Sequence, residues 1–306
     1  MKISIIGAGN VGGTAALRII EQGGSDIVLF DVVPGLAQGK SLDLADSQSL
    51  VGRDFSLKGT DKIADIEGSS IVVITAGLAR KPGMKREDLL KTNAEIIKGV
   101  SLGIKQYCPD AVVVVVTNPV DVMTLCALKN TGFKPNRVFG MGVSLDTSRF
   151  ANLIAQELKV AVSQVKACVI GSHGEGMVPL VRLSQVEGKT LDKIISKEKA
   201  RDLAKRTVGR GAEIVSCLGS GSAYYAPSAA VADIVKAVAK DEKRSIGVCA
   251  YLNGEYGLKD IYVGVPCRIG REGVEEVIKL DLDPEEQSAF NAAAASIKEQ
   301  SRILNY

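Results

Sequence analysis

The sequence predicts an α/β protein: a doubly wound parallel sheet, followed by a closely packed second half of α+β type. Three observations carry this prediction. Short β-branched runs alternate with segments of helical periodicity through the first half, as expected when crossover helices wind a parallel sheet. Val112 to Val116 is apolar with no polar alternation, which suits a central strand covered on both faces. After about residue 145 strands and helices mix without βαβ regularity.

Taken in order, strands are expected at Ile3 to Ile6, Ile27 to Phe30, Ile71 to Thr75, Val112 to Val116 and Val138 to Met141, with helices at Val11 to Gln22 and Asp88 to Tyr107. Right-handed crossovers place the working loops at the carboxyl ends of these strands. In the second half a helix runs from Leu145 to Leu158 with Ser144 as its N-cap. Strands are expected at Gln164 to Ile170, Met177 to Val186, Arg244 to Tyr251 and Asp260 to Arg268, and helices at Lys197 to Cys217, Ala223 to Ala239 and Pro284 to Leu304. No Pro/Gly/Ser-rich linker divides the chain, so two domains, 1–143 and 144–306, are expected to pack closely with a cleft between them.

Composition narrows the function classes. With 306 residues, 46% hydrophobic and 24% charged, the chain has the length and balance of a soluble globular protein. A net charge of +3 gives no electrostatic footprint for nucleic acid, and no apolar run approaches membrane-spanning length. Cys108, Cys126, Cys168, Cys217, Cys249 and Cys267 are scattered without a CxxC pair. That argues against a disulfide framework or a zinc site and fits a reducing cytoplasm. The chain enters its first strand directly after Met1-Lys2, leaving no room for a signal h-region.

Gly7-Ala8-Gly9-Asn10-Val11-Gly12 matches GxGxxG directly between a strand and a helix, the context its mechanism requires. Gly7 permits the tight turn, Gly9 lets a pyrophosphate reach the backbone, and Gly12 allows close helix–strand packing. Phosphates then sit at a helix N-terminus, as in a Rossmann dinucleotide domain. Nineteen residues past Gly12, Asp31 ends the second strand, where an acid binds the adenosine ribose hydroxyls. Its charge repels a 2′-phosphate, so NAD is expected rather than NADP.

Other residues point to chemistry. His173, the single histidine, lies in Gly171-Ser172-His173-Gly174-Glu175-Gly176. Imidazole exchanges protons near neutral pH, but alone such a residue is an ordinary loop histidine. Arg80, Lys81, Lys85 and Arg86 crowd a Pro-Gly loop after the strand at 71–75, read either as a solvated basic loop or as a lid closing on an anion. Thr117-Asn118-Pro119-Val120-Asp121 puts an amide at the lip of the sheet. Asp146 and Arg149 lie three apart on one helix face, in isolation a routine ion pair.

Together GAGNVG, TAGLARKPGMKREDLLKTN, VTNPVDV, GVSLDTSRF, GSHGEGMVPL and GSAYYAP resemble, in order and interval, the lactate/malate dehydrogenase family over essentially the whole chain, and its malate-oxidising branch in particular. The resemblance implies an NAD-dependent 2-hydroxy acid oxidoreductase of the tricarboxylic acid cycle. It implies that His173 is the general acid/base and Asp146 its carboxylate partner. Arg149 then grips the substrate C1 carboxylate, Arg86 polarises the reacting carbonyl and Asn118 hydrogen-bonds the substrate oxygen. Val116 and Thr117, with Asn118, border the nicotinamide ribose, and Asn93 falls on a cofactor position. No metal is implied. Arg80 occupies the position that meets whatever the substrate carries beyond C3, and a buried cation there calls for a second carboxylate. Leaving it unpaired costs roughly 2–5 kcal/mol. Ala223 points the same way, since lactate-specific members commonly carry Thr. Glu175 departs from the pattern, standing where many relatives have Asp, and a reorganised shell around His173 is expected. Members form dimers or tetramers, so a homo-oligomer is expected. The other readings are a lactate-specific enzyme, a non-catalytic NAD(H)-binding protein and a nicotinamide-dependent glycosidase.

Overall fold

Five apolar runs and one polar edge segment form the six short strands of a parallel sheet. The structure is a computed structural model and describes residues 1–24, 26–78 and 86–305, Arg86 by its backbone alone. In chain order β1 is Lys2–Ile6, α1 Asn10–Glu21, β2 Asp26–Phe30, α2 Leu36–Asp46, α3 Gln48–Val51, β3 Ser56–Thr60, β4 Ile71–Ile74, α4 Arg86–Tyr107, β5 Val112–Val115, α5 Val120–Thr131 and β6 Val138–Gly140. The parallel strands lie in the order β3-β2-β1-β4-β5-β6, the doubly wound arrangement expected from the alternation. Every residue of β4 and β5 is buried, which is why their sequences are continuous Ile and Val. Each such side chain contributes about 1.5–3 kcal/mol on leaving water.

The second half contains α6 at Val143–Leu158, β7 at Val165–Lys166, β8 at Val169–Gly171, β9 at Met177–Pro179, β10 at Gln185–Val186 and β11 at Lys189–Thr190. It continues with α7 at Lys197–Leu218, α8 at Tyr225–Ala239, β12 at Arg244–Asn253, β13 at Lys259–Gly270, β14 at Gly273–Val277 and α9 at Pro284–Ile303. Apart from a small three-stranded sheet of β11, β10 and β7, its strands extend the sheet of the first half. β12 runs antiparallel beside β6, Cys249 opposite Gly140, and the sheet continues through β13, β8 and β9, with β14 paired to β13, giving eleven strands among the described residues. α8 packs on α1, where Arg18 Nε donates to Ser228 Oγ at 3.1 Å.

Several sequence expectations need correction. Helix α6 starts at Val143 with Gly142 as N-cap, so Ser144 lies inside the first turn, its N–H already bonded to the Met141 carbonyl at 3.2 Å. The run 164–170 splits because the chain changes sheets: β7 joins β10 and β11, whereas β8 joins the large sheet. The run 177–186 breaks after Pro179, which has no N–H to continue a ladder, and a turn leads to β10.

Candidate active site

Three loops meet at the carboxyl ends of the parallel strands. The first follows β1. Gly7 has φ +105°, and a Cβ there would stand 2.7 Å from the Ala76 nitrogen. Any side chain at Gly12 would strike the Gly7 carbonyl at 1.8 Å, so α1 packs directly on the turn. Gly9 is different: a Cβ there meets nothing within 4 Å. It faces open space at the N-terminus of α1, which has neither a side-chain cap nor an acid in its first turn. The first-turn N–H groups of Asn10, Val11 and Gly12 have no partner within the helix, leaving a cradle for an anion.

Asp31 accepts the Ala8 N–H at 2.6 Å through Oδ2 and the Val33 N–H at 2.9 Å through Oδ1. Each oxygen keeps a lone pair for a ribose hydroxyl. The arrangement fits a dinucleotide, with the diphosphate at the open N–H cradle and a ribose at the Asp31 carboxylate. Lys40 on α2 belongs to no motif in the sequence, yet its ammonium donates to the Gly9 carbonyl at 3.1 Å. Its place in the second turn of α2, outside the glycine motif, leaves no signal in the sequence.

The second loop follows β5. Val116 and Thr117 are buried, and Thr117 Oγ1 donates to the Ala76 carbonyl at 2.6 Å. Asn118 is exposed beyond the sheet edge, and its peptide bond to Pro119 is cis. Asn93 on α4 is fully buried behind it. Its Nδ2 donates to the carbonyls of Asn118 at 2.8 Å and Leu78 at 3.2 Å, while Oδ1 accepts the Leu78 N–H at 2.8 Å. Asn93 thus ties two site loops together, with most of its polar capacity already used.

The third loop is the turn between β8 and β9, which carries His173. Ser172 N–H donates to the Gly176 carbonyl at 3.1 Å and Met177 N–H to the Gly174 carbonyl at 3.2 Å. Gly174 has φ +109°, which a side chain would strain. From α6, buried Asp146 places Oδ2 2.8 Å from His173 Nδ1 and Oδ1 3.4 Å from Arg149 Nη1. An ionised carboxylate only accepts, so Nδ1 carries the proton and Nε2 is left as the exchanging atom. The His173 side chain is 14% exposed and that of Asp146 0%, so the pair is shielded but reachable from one side. Burial pushes the imidazole down, but the Asp146 charge and hydrogen bond, with Asp121, outweigh it, and the balance lies above the ordinary 6.5.

Arg149 is 11% exposed, and its buried Nε has no hydrogen-bond partner among the described residues. Burial presses its guanidinium down, Asp146 opposes this and Arg210 adds to it. A buried cation with an orphan donor is an anion site in waiting. Gly211 of α7 backs it: a Cβ at that position would lie 3.6 Å from Arg149 Nη1.

The structure therefore brings His173, Asp146 and Arg149 together and groups Gly7, Ala8, Gly9, Asn10, Val11 and Gly12 with Asp31. Arg80 and the side chain of Arg86 lie outside the described residues, as does most of the basic loop. Glu175 is exposed and forms no hydrogen bond to His173 among the described residues. The carboxylate the sequence reading missed is Asp121, which is buried and bonded to the His173 N–H at 3.3 Å. Its signal was an acid flanked by apolar residues, Val120 and Val122. Among the described residues no cluster of three His, Cys, Asp or Glu side chains is placed to hold a metal ion.

Residues 1–140 match the family model described as lactate/malate dehydrogenase, NAD binding domain, and residues 143–303 that of the lactate/malate dehydrogenase alpha/beta C-terminal domain. The malate dehydrogenase of Geotalea uraniireducens is 47% identical, and that of Methanosarcina barkeri 48%, each alignment covering 97% of both chains. Among solved structures, the apo malate dehydrogenase of Picrophilus torridus superposes with a TM-score of 0.96 at 43% identity, over 99% of this chain and 97% of that one. The lactate dehydrogenase of Cryptosporidium parvum, solved with lactic acid and nicotinamide adenine dinucleotide, gives 0.95 at 38%, over 99% and 98%. With both domains matched and relatives alike over nearly their whole length, the chain belongs to the lactate/malate dehydrogenase family and carries its NAD-binding domain.

Proposed function

We propose that this protein is an NAD-dependent malate dehydrogenase, interconverting (S)-malate and oxaloacetate. The observation that carries the reading is the buried His173–Asp146 pair beside Arg149, whose orphan Nε awaits an anion. When bound, the nicotinamide accepts hydride from substrate C2 or returns it. His173 Nε2 takes the hydroxyl proton as malate is oxidised and gives it back to the carbonyl oxygen of oxaloacetate. Asp146 holds the tautomer and stabilises the imidazolium. Arg149 fixes the C1 carboxylate with a planar fork, and Asn118, at the sheet edge, bonds the substrate oxygen. Gly7 to Gly12 and Asp31 hold the dinucleotide, bordered by Val116 and Thr117, and Asn93 acts on it by holding Leu78 and Asn118.

The choice of malate over lactate rests on Arg80 in the sequence, on Ala223, and on the names of the relatives at 47–48% identity, while Arg86 is the residue that polarises the reacting carbonyl. We place the division of labour at 143/144, a cofactor domain before it and a substrate domain after. A homo-oligomer, dimer or tetramer, is supported by Leu42 and Leu50, 68% and 87% exposed. No helix among the described residues is long and apolar enough to cross a membrane. Six free cysteines support a reducing cytoplasm, and the reaction belongs to the tricarboxylic acid cycle.

A paired assay tests the reading: NADH or NADPH oxidation with oxaloacetate and with pyruvate. The expected outcome is oxaloacetate with NADH favoured by two decades or more in kcat/KM. A pyruvate preference overturns the malate assignment, and no turnover with either substrate overturns the enzymatic one.

A further inference from the structure

Among the described residues, Asp121 is the buried carboxylate that this mechanism leaves unused. It lies in the first turn of α5, 3% exposed, three residues after Asn118. Three donors from two other parts of the fold converge on its carboxylate. Oδ2 receives the Ser172 hydroxyl at 2.8 Å and the His173 backbone N–H at 3.3 Å, both from the β8–β9 turn. Oδ1 receives the Cys249 thiol of β12 at 3.0 Å. The backbone N–H can only donate, and an ionised carboxylate accepts all three. The arrangement joins the loop bearing Asn118, the loop bearing His173 and the strand that bridges the two halves of the sheet.

We propose that Asp121 is a positioning residue for His173, fixing the imidazole-bearing turn through its backbone and supplying a second buried negative charge behind the ring. This rests on the reading of His173 as the acid/base. The described charged groups around the imidazole are Asp146 and Arg149 on α6 and Asp121 on α5, with Arg210 of α7 acting on Arg149. Cys249 faces Asp121 from β12 as a neutral thiol, its ionisation pushed well up by burial and by Asp121. With His173 protonated, the two carboxylates, the guanidinium and the imidazolium sum to zero. Remove the charge at Asp121, and the sum is zero with the ring neutral. Asp121 thus favours the protonated ring that reduces the keto acid. Burial raises the Asp121 carboxyl above its ordinary value, and the bonds from Cys249 and Ser172 and the His173 charge limit the rise without reversing it.

The test uses the full-length protein and the Asp121→Asn variant, which keeps the shape and removes the charge. Because the chain has one histidine, its imidazole resonance gives the midpoint by NMR without ambiguity. The expected result is a midpoint about one pH unit lower. In addition, kcat for oxaloacetate reduction falls tenfold or more with KM within threefold, and NADH affinity is unchanged. The alkaline limit of reduction and the acid limit of malate oxidation both move down by the same amount. An unchanged midpoint, or parental kcat in a folded variant, overturns the proposal. If Asp121→Asn does not fold, Ser172→Ala decides. It should lower kcat three- to tenfold at the parental midpoint, and parental kcat overturns the positioning role. A His173→Asn control separates the two ideas: if it retains turnover, the acid/base reading fails whatever Asp121 does.

Discussion

At the scale of single residues, the 2.8 Å contact between His173 Nδ1 and Asp146 fixes the direction of the pH dependence. The imidazole midpoint lies above 6.5, so kcat/KM for oxaloacetate reduction should stay level through pH 6.5 and decline only as pH rises through that higher value. Malate oxidation should rise over the same interval. A raised midpoint in the folded state also means that stability contributed by this pair is fully present below pH 6.5 and lost above the folded midpoint. Asp146→Asn should lower kcat by roughly two to four decades, because the ring loses both its charge partner and its tautomer. A steady-state pH series on both proteins checks this, and coincident profiles would count against the pairing. The pair was legible in the sequence only through motif order, since an acid and a base three apart on α6 is also an ordinary ion pair. Both descriptions hold: Asp146 contacts Arg149 at 3.4 Å and His173 at 2.8 Å through different oxygens. Asp121 was hidden because its partners lie 51, 52 and 128 residues away, beyond any local pattern.

Elements were legible where burial dictates composition. β4 and β5 have no solvent face, and their Ile and Val runs say so. β3 escaped notice because Ser56-Leu57-Lys58-Gly59-Thr60 is an edge strand, mostly uncovered, with lysine and glycine at its centre. The turn between β1 and α1 shows how far such reading reaches. Sequence spacing identifies three glycines but not what each one does. Gly12 is locked by the Gly7 carbonyl, whereas Gly9, with helix-compatible φ of −64°, has open space beyond it. The two alanine variants should therefore part company. Gly12→Ala should unfold several degrees lower, because its methyl has no room. Gly9→Ala should melt within about 2 °C of the parent yet bind NADH at least tenfold more weakly, its methyl standing where the diphosphate approaches. Melting curves with and without NADH distinguish them, and equal loss of stability in both would remove Gly9 from the cradle.

On the scale of the whole molecule, the sequence suggested two packed domains because periodicity changes near residue 145 and no linker intervenes. What it could not convey is that a single sheet runs through both halves. Residue pairing between distant strands leaves no local trace, and the junction rests on Cys249 opposite Gly140. The largest buried cluster takes residues from both halves, Ile3 and Val113 with Val263 and Phe290, while a smaller one around Phe150 and Leu153 lies within the second half; α8 of the second half covers α1 of the first. Separating the halves would strip β6 of its β12 neighbour and expose the apolar face shared by α1 and α8. That cost favours unfolding as one unit despite the two-part organisation of the chain. Calorimetry should therefore give a single transition with an enthalpy of about 200 kcal/mol, from ~0.7 kcal/mol per residue near 60 °C. Saturating NADH should move the entire transition upward, since the ligand binds only the folded form. Two resolved transitions, with NADH displacing only one, would show that the strand junction does not couple the halves. His173 would then sit on a body that unfolds independently of the glycine turn it works beside.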